Sequence, residues 1–364
     1  MSDKKSSDFT LIFIVTLLVI FGIIMVFSSS YYYALAKKGD AYYFLKRDLI
    51  WAVVGFASMF VASYVNYRIY RKVAPVLFVA SIVLLLLVFT PLGIEINYAK
   101  RWIGAGPVTI MPGEIAKICV IIFCAWFLSK NPEKIKSFIK GVFPLLLIII
   151  TYFTLIILQP NLSTAVTISM IIVVMMFVTG MKITHLFGLF ITGVLGVIGM
   201  IFLEPYRMQR LTSFFDPFSD PMGSGYQVIQ SLLALGSGGL FGVGLGRSIQ
   251  KTLYLPEPQN DFIFAIIGEE VGFIGSAALI ICFMVLIWRG IHISINAPDL
   301  FGTLLGSGIT AMIAIQVIIN IAVATSSMPP TGITLPFISW GGNSLVLFMG
   351  SMGILLNISK HTIN

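Results

Sequence analysis

The sequence has few charged residues and few cysteines. Only 10% of its 364 residues are charged, 58% are hydrophobic and the mean hydropathy is +0.99, whereas soluble domains carry about 25% charged residues. An ordinary soluble domain is therefore excluded. So is nucleic-acid binding as the reason for the net charge of +8, because basic residues of membrane proteins mainly set topology and meet anionic lipids. The three cysteines lie in apolar runs without metal-site spacing, which predicts packing roles for Cys119, Cys124 and Cys282.

Long apolar runs dominate what remains. A membrane-spanning helix needs roughly 20 apolar residues, and the 33 Gly and 16 Pro spread among the runs indicate helices that pack closely. The predicted fold is an all-α polytopic membrane protein, a single membrane domain over 1–364 with about ten transmembrane helices and one long outer loop, 204–260. The predicted spans are 9–27, 49–65, 73–92, 115–129, 141–158, 162–181, 183–203, 262–288, 300–323 and 344–358.

Basic residues in the short loops predict the orientation of these spans. With the N-terminus inside, the cytoplasmic segments hold twelve Lys and Arg residues and the short outer loops hold six. Both termini are therefore predicted to be cytoplasmic, and the long loop to be extracytoplasmic. The twelve are Lys4, Lys5, Arg68, Arg71, Lys72, Lys130, Lys134, Lys136, Lys140, Lys182, Arg289 and Lys360, and the six are Lys37, Lys38, Lys46, Arg47, Lys100 and Arg101.

Ionisable residues inside the predicted spans are rare. Lys117 lies three residues after Glu114, so the two share a helix face and can neutralise each other. Glu269 and Glu270 lie deep in the eighth span, where a charge needs a partner or a wet cavity. We expect a polar cavity that links the fourth and eighth spans, with local neutralisation as the alternative.

Asp261 stands at the outer mouth of the eighth predicted span. An Asp just before an apolar helical run is an ordinary N-cap that also suits the helix dipole. From its chemistry alone, this is the favoured interpretation of Asp261. A catalytic base is the alternative at the same position.

Two segments are rich in turn-forming residues. Residues 236–246 contain six glycines, but no Gly-Lys-Ser/Thr follows, so they do not form a P-loop. A short interfacial helix is expected just before them, at 227–235. Residues 329–336 predict a re-entrant, non-helical stretch, which is tolerated only against protein or water. Turn-forming structure alone would explain both segments.

Four motifs occur in order along the whole chain. They are Arg-Trp-Ile-Gly at 101–104 with Pro-Gly-Glu-Ile-Ala-Lys at 112–117, Gln-Pro-Asn-Leu at 159–162, the stretch 236–275 with Asp-Phe-Ile-Phe at 261–264, and 331–342. Together they resemble the SEDS family (shape, elongation, division and sporulation). The chain departs from that family's usual Ser, Asp, Tyr and Ser at Gly113, Asn161, Trp340 and Asn343. The second departure removes a charge from the outer cavity that the resemblance implies.

The resemblance implies a peptidoglycan glycosyltransferase that polymerises lipid II, the undecaprenyl-pyrophosphate-linked disaccharide-pentapeptide, on the outer face of the bacterial cytoplasmic membrane. It also implies a class B penicillin-binding protein, a transpeptidase, as partner. Asp261 then becomes the catalytic residue, a general base in an inverting transfer with undecaprenyl pyrophosphate as leaving group. A divalent cation (Mg²⁺ or Mn²⁺) is an optional helper. Candidates to bind the pyrophosphate are Arg101, Lys117, Arg207, Arg210 and Arg247, and Glu114, Glu269 and Glu270 are expected to line the polar cavity.

Two other classes of function stay open. A lipid II flippase would use Lys117, Glu269 and Glu270 along a polar path, and a non-catalytic scaffold would only recruit the transpeptidase. A flippase needs charge along the whole path, whereas the loop charges and Asp261 cluster at the outer mouth. This clustering favours the polymerase.

Overall fold

The computed structural model describes residues 8–96, 99–105 and 108–362, so Lys4 and Lys5 of the orientation count lie outside the described residues. The helices are α1 (Phe9–Lys38), α2 (Tyr43–Tyr64), α3 (Arg68–Leu87), α4 (Pro112–Lys130), α5 (Phe143–Ile157), α6 (Leu162–Val178), α7 (Ile183–Phe202), α8 (Pro205–Phe215), α9 (Tyr226–Gly238), α10 (Ile263–Ile295), α11 (Leu300–Ala324) and α12 (Gly342–Ser359). Three strands, β1 (Gly93–Ile96), β2 (Ala99–Ala105) and β3 (Val108–Ile110), form a small antiparallel sheet in that order.

The predicted all-α membrane fold is confirmed. Each predicted span coincides with one of the helices α1–α7 and α10–α12. In the described part of the chain, eight helices are by themselves long and apolar enough to cross a membrane, with α5 counted together with the π-helical turn Phe138–Val142 that precedes it. The other two are α6, which is apolar but has only 17 residues, and α2, which carries Lys46, Arg47 and Asp48 near its start. The small sheet between α3 and α4 was not predicted.

Helix α1 is longer than its apolar run. It begins after Asp8, whose side chain accepts a hydrogen bond from the Leu11 amide, and it ends at Gly39, which has a φ of 70°. Its 30 residues correspond to about 45 Å, more than the roughly 30 Å of a bilayer core. The predicted span ends at residue 27, so the added residues bring Ser28 and Tyr33 to the outer loop.

Helix α10 is broken in its N-terminal third. Gly272 has φ 69° and ψ −169°, which no helix allows. The amides of Val243 and Gly244 donate to the carbonyls of Glu269 and Glu270 at 3.0 and 3.1 Å, and two carbonyls of the same loop accept from the first amides beyond the break. The glycine-rich segment of the sequence, residues 239–246 after α9, thus supplies the backbone bonds that the broken helix lacks.

Close approach explains two of these glycines. A Cβ added at Gly272 would lie 2.2 Å from the amide nitrogen of Gly242, and one at Gly242 would lie 2.2 Å from the carbonyl oxygen of Glu270. Both residues also have φ between 69° and 79°, a region that favours glycine. The preceding helix α9 confirms the short helix predicted at 227–235, and it packs against α10.

Candidate active site

Asp261 lies two residues before α10 and does not cap it. The N-cap is Phe262, and no side chain makes a capping hydrogen bond there, so the N-cap interpretation of Asp261 is wrong. The Asp261 carbonyl accepts a hydrogen bond from Asn320 Nδ2 at 2.9 Å, and the same amide donates to the Ile333 carbonyl at 2.8 Å. One buried side chain of α11 therefore holds both the backbone at Asp261 and the non-helical segment before α12.

The two residues before Asp261 are held from the same side. The Gln259 carbonyl accepts from the Trp340 amide at 2.9 Å, and the Asn260 carbonyl accepts from Ser339 Oγ at 2.8 Å. Ser339 Oγ also accepts from the Leu335 amide at 2.8 Å. The predicted non-helical stretch at 329–336 is confirmed. Ser339 and Trp340, which follow it, hold the carbonyls of two consecutive residues, and Asn320 holds the third, that of Asp261.

A cavity of about 410 Å³ adjoins this support. Gly332 connects the two, since it lines the cavity and a Cβ added to it would lie 3.7 Å from Asp261 Oδ2. The cavity is lined by the α5–α6 corner, α7, α8 and the segment before α12, with polar or charged side chains from Arg101, Asn161, Ser163, Glu204, Arg207, Arg210 and Thr331. Three of the five predicted pyrophosphate ligands therefore meet in one cavity.

The three cavity arginines are fixed through backbone carbonyls. Arg101, on β2, donates from Nε to the Gln159 carbonyl at 3.1 Å, and Arg210 donates from Nη1 to the Pro330 carbonyl at 2.9 Å. Arg207 donates to a carbonyl near the end of α7 at 2.9 Å. A guanidinium has five N–H donors, so one such side chain can bind a carbonyl and an anion together.

The surroundings of Asp261 make its carboxyl a stronger base. Its pKa is raised to about 7, chiefly by desolvation, with Glu257 also acting to raise it and Arg210 and Arg101 acting to lower it. The residue is only partly exposed. A carboxyl with such a pKa is ionised in a substantial fraction near neutral pH and still takes up a proton readily.

Asn161 occupies the position where the resembled family usually has Asp. It lines the cavity, and its Oδ1 accepts a hydrogen bond from the Thr164 amide at 3.2 Å at the start of α6. Asn and Asp cap helices about equally well. The change therefore keeps the cap and leaves the cavity with less negative charge.

Lys117 does not reach this cavity, which corrects its assignment as a pyrophosphate ligand. It is buried, pairs with Glu114 at 2.7 Å and donates to Gln316 Oε1 on α11 at 3.0 Å. Arg247 also lies elsewhere, exposed on the glycine-rich loop. The helical spacing fixes which side of α4 carries Lys117, and that side faces α11.

Glu269 and Glu270 belong to a second buried cluster, so the predicted cavity between the fourth and eighth spans is also corrected. Glu270 pairs with Lys251 at 2.6 Å, and its two carboxylate oxygens share the single hydroxyl proton of Ser28, whose Oγ lies 2.8 and 2.7 Å from them. Glu269 accepts a hydrogen bond from Ser248 Oγ and another, at 2.8 Å, from the Ile249 amide. The loop and α1 neutralise these glutamates, and α4 takes no part.

Sequence reasoning missed several functional neighbours of Asp261. Asn320 is an uncharged amide near the end of a predicted span, a signal that a search limited to ionisable residues overlooks. Glu257 lies within the stretch 236–275, but the sequence assigns it no role. Among the described residues, no group of three or more His, Cys, Asp or Glu side chains is arranged to hold a metal ion.

The chain matches known proteins over its whole length. A family model for cell cycle proteins of the FtsW, RodA and SpoVE type covers residues 9–364. Stage V sporulation protein E of Bacillus subtilis (strain 168) is 46% identical over 364 residues, 100% of both chains. "Probable peptidoglycan glycosyltransferase FtsW" of Geobacter sp. (strain M18) is 40% identical over 99% of this chain and 98% of that protein.

Two solved structures share the fold. A chain from a study of how a peptidoglycan synthase complex coordinates polymerization and crosslinking has a TM-score of 0.81 and 29% identity, over 97% of this chain and 98% of that one. The rod shape determining protein RodA of Thermus thermophilus has a TM-score of 0.72 and 26% identity, over 99% and 98%. This is the family that the sequence motifs resemble. The chain is an integral membrane protein and belongs to the FtsW/RodA/SpoVE family of cell cycle proteins.

Proposed function

We propose that this protein, a peptidoglycan glycosyltransferase of its family, polymerises lipid II at the outer face of the cytoplasmic membrane with Asp261 as general base. The activity is the one in the names of its FtsW relatives. The observation that carries the proposal is a desolvated carboxyl beside a cavity with three arginines.

The base acts on the acceptor. Asp261 takes the proton from the GlcNAc 4-hydroxyl of one lipid II as that oxygen attacks the MurNAc anomeric carbon of the other chain. The carbon–oxygen bond to the pyrophosphate breaks on the opposite face, so the configuration inverts. The carboxylate also stabilises the oxocarbenium-like transition state, because it carries the opposite charge.

The leaving group explains why one carboxyl suffices. Glycosidases use a second carboxylic acid to protonate a poor leaving group, whereas undecaprenyl pyrophosphate leaves as a stable anion. Arg101, Arg207 and Arg210 line the cavity and provide the charge-assisted hydrogen bonds that such an anion needs. Glu204 and Asn161 line the same cavity and leave it net positive.

The topology and the partner complete the proposal. With both termini cytoplasmic, the loop that carries Asp261 faces outward, where lipid II displays its sugars. The structural neighbour comes from a complex that joins polymerization to crosslinking, which supports a class B penicillin-binding protein as partner.

Polymerisation of labelled lipid II by the purified protein with its transpeptidase tests this proposal. We expect glycan chains from the wild type, none from Asp261→Ala, and wild-type yield from Asp40→Ala, which removes an acid from the exposed ion pair with Lys46. Equal thermal midpoints of the three proteins serve as the folding control.

Three results would overturn it. Chains from a folded Asp261→Ala would remove Asp261 from the chemistry. No chains from the wild type, together with movement of labelled lipid II between liposome leaflets, would favour the flippase. Neither activity, with stimulation of the transpeptidase alone, would favour the scaffold.

A further inference from the structure

We propose that Lys251 and Glu270, with Glu269 and Ser28, are positioning residues that hold the loop bearing Asp261 against α10 and α1. The inference rests on Asp261 being the general base of the proposed function. It gives a role to the glutamate pair that the sequence marks as costly within a membrane span.

The centre of this cluster is a buried ion pair. Lys251 and Glu270 are 2% and 1% exposed, and Lys251 Nζ lies 2.6 Å from Glu270 Oε1. The ammonium also donates to Ser28 Oγ at 2.9 Å, and Ser28 Oγ itself contacts both carboxylate oxygens of Glu270. The pair thus joins α1, the loop and α10 at one point.

Glu269 fixes the loop backbone beside this pair. It is 1% exposed and accepts from the amide of Ile249 at 2.8 Å and that of Gln250 at 3.4 Å, besides Ser248 Oγ. Ser248 Oγ in turn accepts from the Lys251 amide at 3.2 Å. These bonds satisfy a second buried carboxylate for which the cluster has no second cation.

The arrangement closes the loop at its base. Residues 248–251 precede Asp261 by ten to thirteen positions, and Glu269 and Glu270 follow it by eight and nine. The two ends of this segment are therefore tied together, with Asp261 between them. Tyr33, farther along α1, contacts Glu257 Oε1 at 3.5 Å and adds a second tie.

A lipid path is the competing role for these charges. A path for a polar headgroup needs groups that are free to exchange partners, whereas the carboxylates of Glu269 and Glu270 are occupied by the loop and Ser28. Glu269 and Glu270 also lie beside the break at Gly272, where the loop supplies the backbone hydrogen bonds that α10 lacks. Both observations favour positioning over transport.

The test is steady-state polymerisation by the full chain with its transpeptidase, measured across pH. The variants are Lys251→Met, the double variant Lys251→Met/Glu270→Gln, which leaves no unpaired buried charge, and the conservative Lys251→Arg. Lys46→Met is the matched control, because it removes a lysine from an exposed ion pair on the same outer surface.

We expect kcat to fall about 10- to 100-fold in Lys251→Met and in the double variant, as for an ångström-scale displacement of a catalytic group. KM should stay within about twofold, because the cavity arginines are untouched. The acid limb of kcat should also move to lower pH. A loosened loop hydrates the Asp261 carboxyl, whereas Arg210, Arg101 and Glu257, the charges that face it, remain. Lys251→Arg should recover most of kcat.

A purely structural role gives a different result. Activity lost only in proportion to the unfolded fraction, with kcat per folded molecule and the acid limb unchanged, would overturn the inference. So would failure of both Lys251→Met and the double variant to fold. If Asp261→Ala is inactive while Lys251→Met has wild-type kcat, only this inference fails. If Asp261→Ala is active, the proposed function fails first.

Discussion

Helices α7 and α10 precede and follow the long loop 204–260, and both are apolar but differ in how they are packed. Every residue of α7 keeps some exposed surface, and a Cβ added at its glycines would meet nothing within 4 Å. In contrast, the stretch 262–270 at the N-terminal end of α10 is entirely buried. It is braced by the glycine-rich loop, α9 and the Lys251 cluster.

The difference separates two tasks around one cavity. α7 lines the cavity only with the apolar side chains of Val197 and Ile201. Apolar lining does not require side chains to be held at exact positions. α10 follows directly on Asp261, whose position relative to the substrate would decide the rate of the proposed reaction. The many tertiary bonds are concentrated at the helix where geometry matters.

The substitution Gly272→Ala should have the largest effect, a loss of stability where α10 contacts the glycine-rich loop. The new Cβ would lie 2.2 Å from the amide nitrogen of Gly242, and the φ of 69° disfavours any L side chain. We expect a loss of about 3 kcal/mol or more in unfolding free energy. Thermal unfolding in detergent would measure this loss. An unchanged midpoint would show that the backbone hydrogen bonds between the glycine-rich loop and α10 are dispensable.

A smaller effect is expected from Glu257→Gln, which tests the charge around the start of α10. The Glu257 carboxylate acts to raise the pKa of Asp261, so its removal should lower that pKa below about 7. The base is active when deprotonated, and the acid limb of kcat/KM should therefore move to lower pH. Arg210→Gln should move the same acid limb to higher pH, since the Arg210 guanidinium acts to lower the pKa of Asp261. Shifts in the same direction would contradict the electrostatic account.

The smallest effect should come from Gly199→Ala in α7. A helical Gly→Ala change in open space stabilises by about 0.5–1 kcal/mol, and Gly199 does not line the cavity. Polymerisation should be unchanged, and the thermal midpoint should rise slightly. A clear loss of stability would mean that α7 is packed against something after all.

The sequence predicts which residues form the membrane spans better than it predicts which neighbouring helix or loop each side chain faces. Apolar run length gives the spans because a bilayer requires it, and the spacing of Glu114 and Lys117 gives their ion pair. Which neighbour a buried charge meets depends on packing. That is why Glu270 was grouped with Lys117, whereas its partner Lys251 lies across a loop.

Other parts of the site could be found only in part. Asp261 gained its assignment from the motif resemblance, since its local chemistry alone favours a helix cap. The sheet that carries Arg101 was not predicted because its strands are only three to seven residues long. Asn320 contacts carbonyls far away in the sequence, and no local pattern indicates such contacts.

The backbone hydrogen bonds between the glycine-rich loop and the break in α10 affect which positions of the loop can change by mutation. Its hydrogen bonds come from the main chain alone, so no side chain of the glycine-rich loop is needed to form them. Leu240, Phe241 and Leu245 project outward, 62%, 80% and 60% exposed. Mutation can therefore rewrite these surface positions freely, while Gly242 is fixed by the absence of room for a single carbon atom.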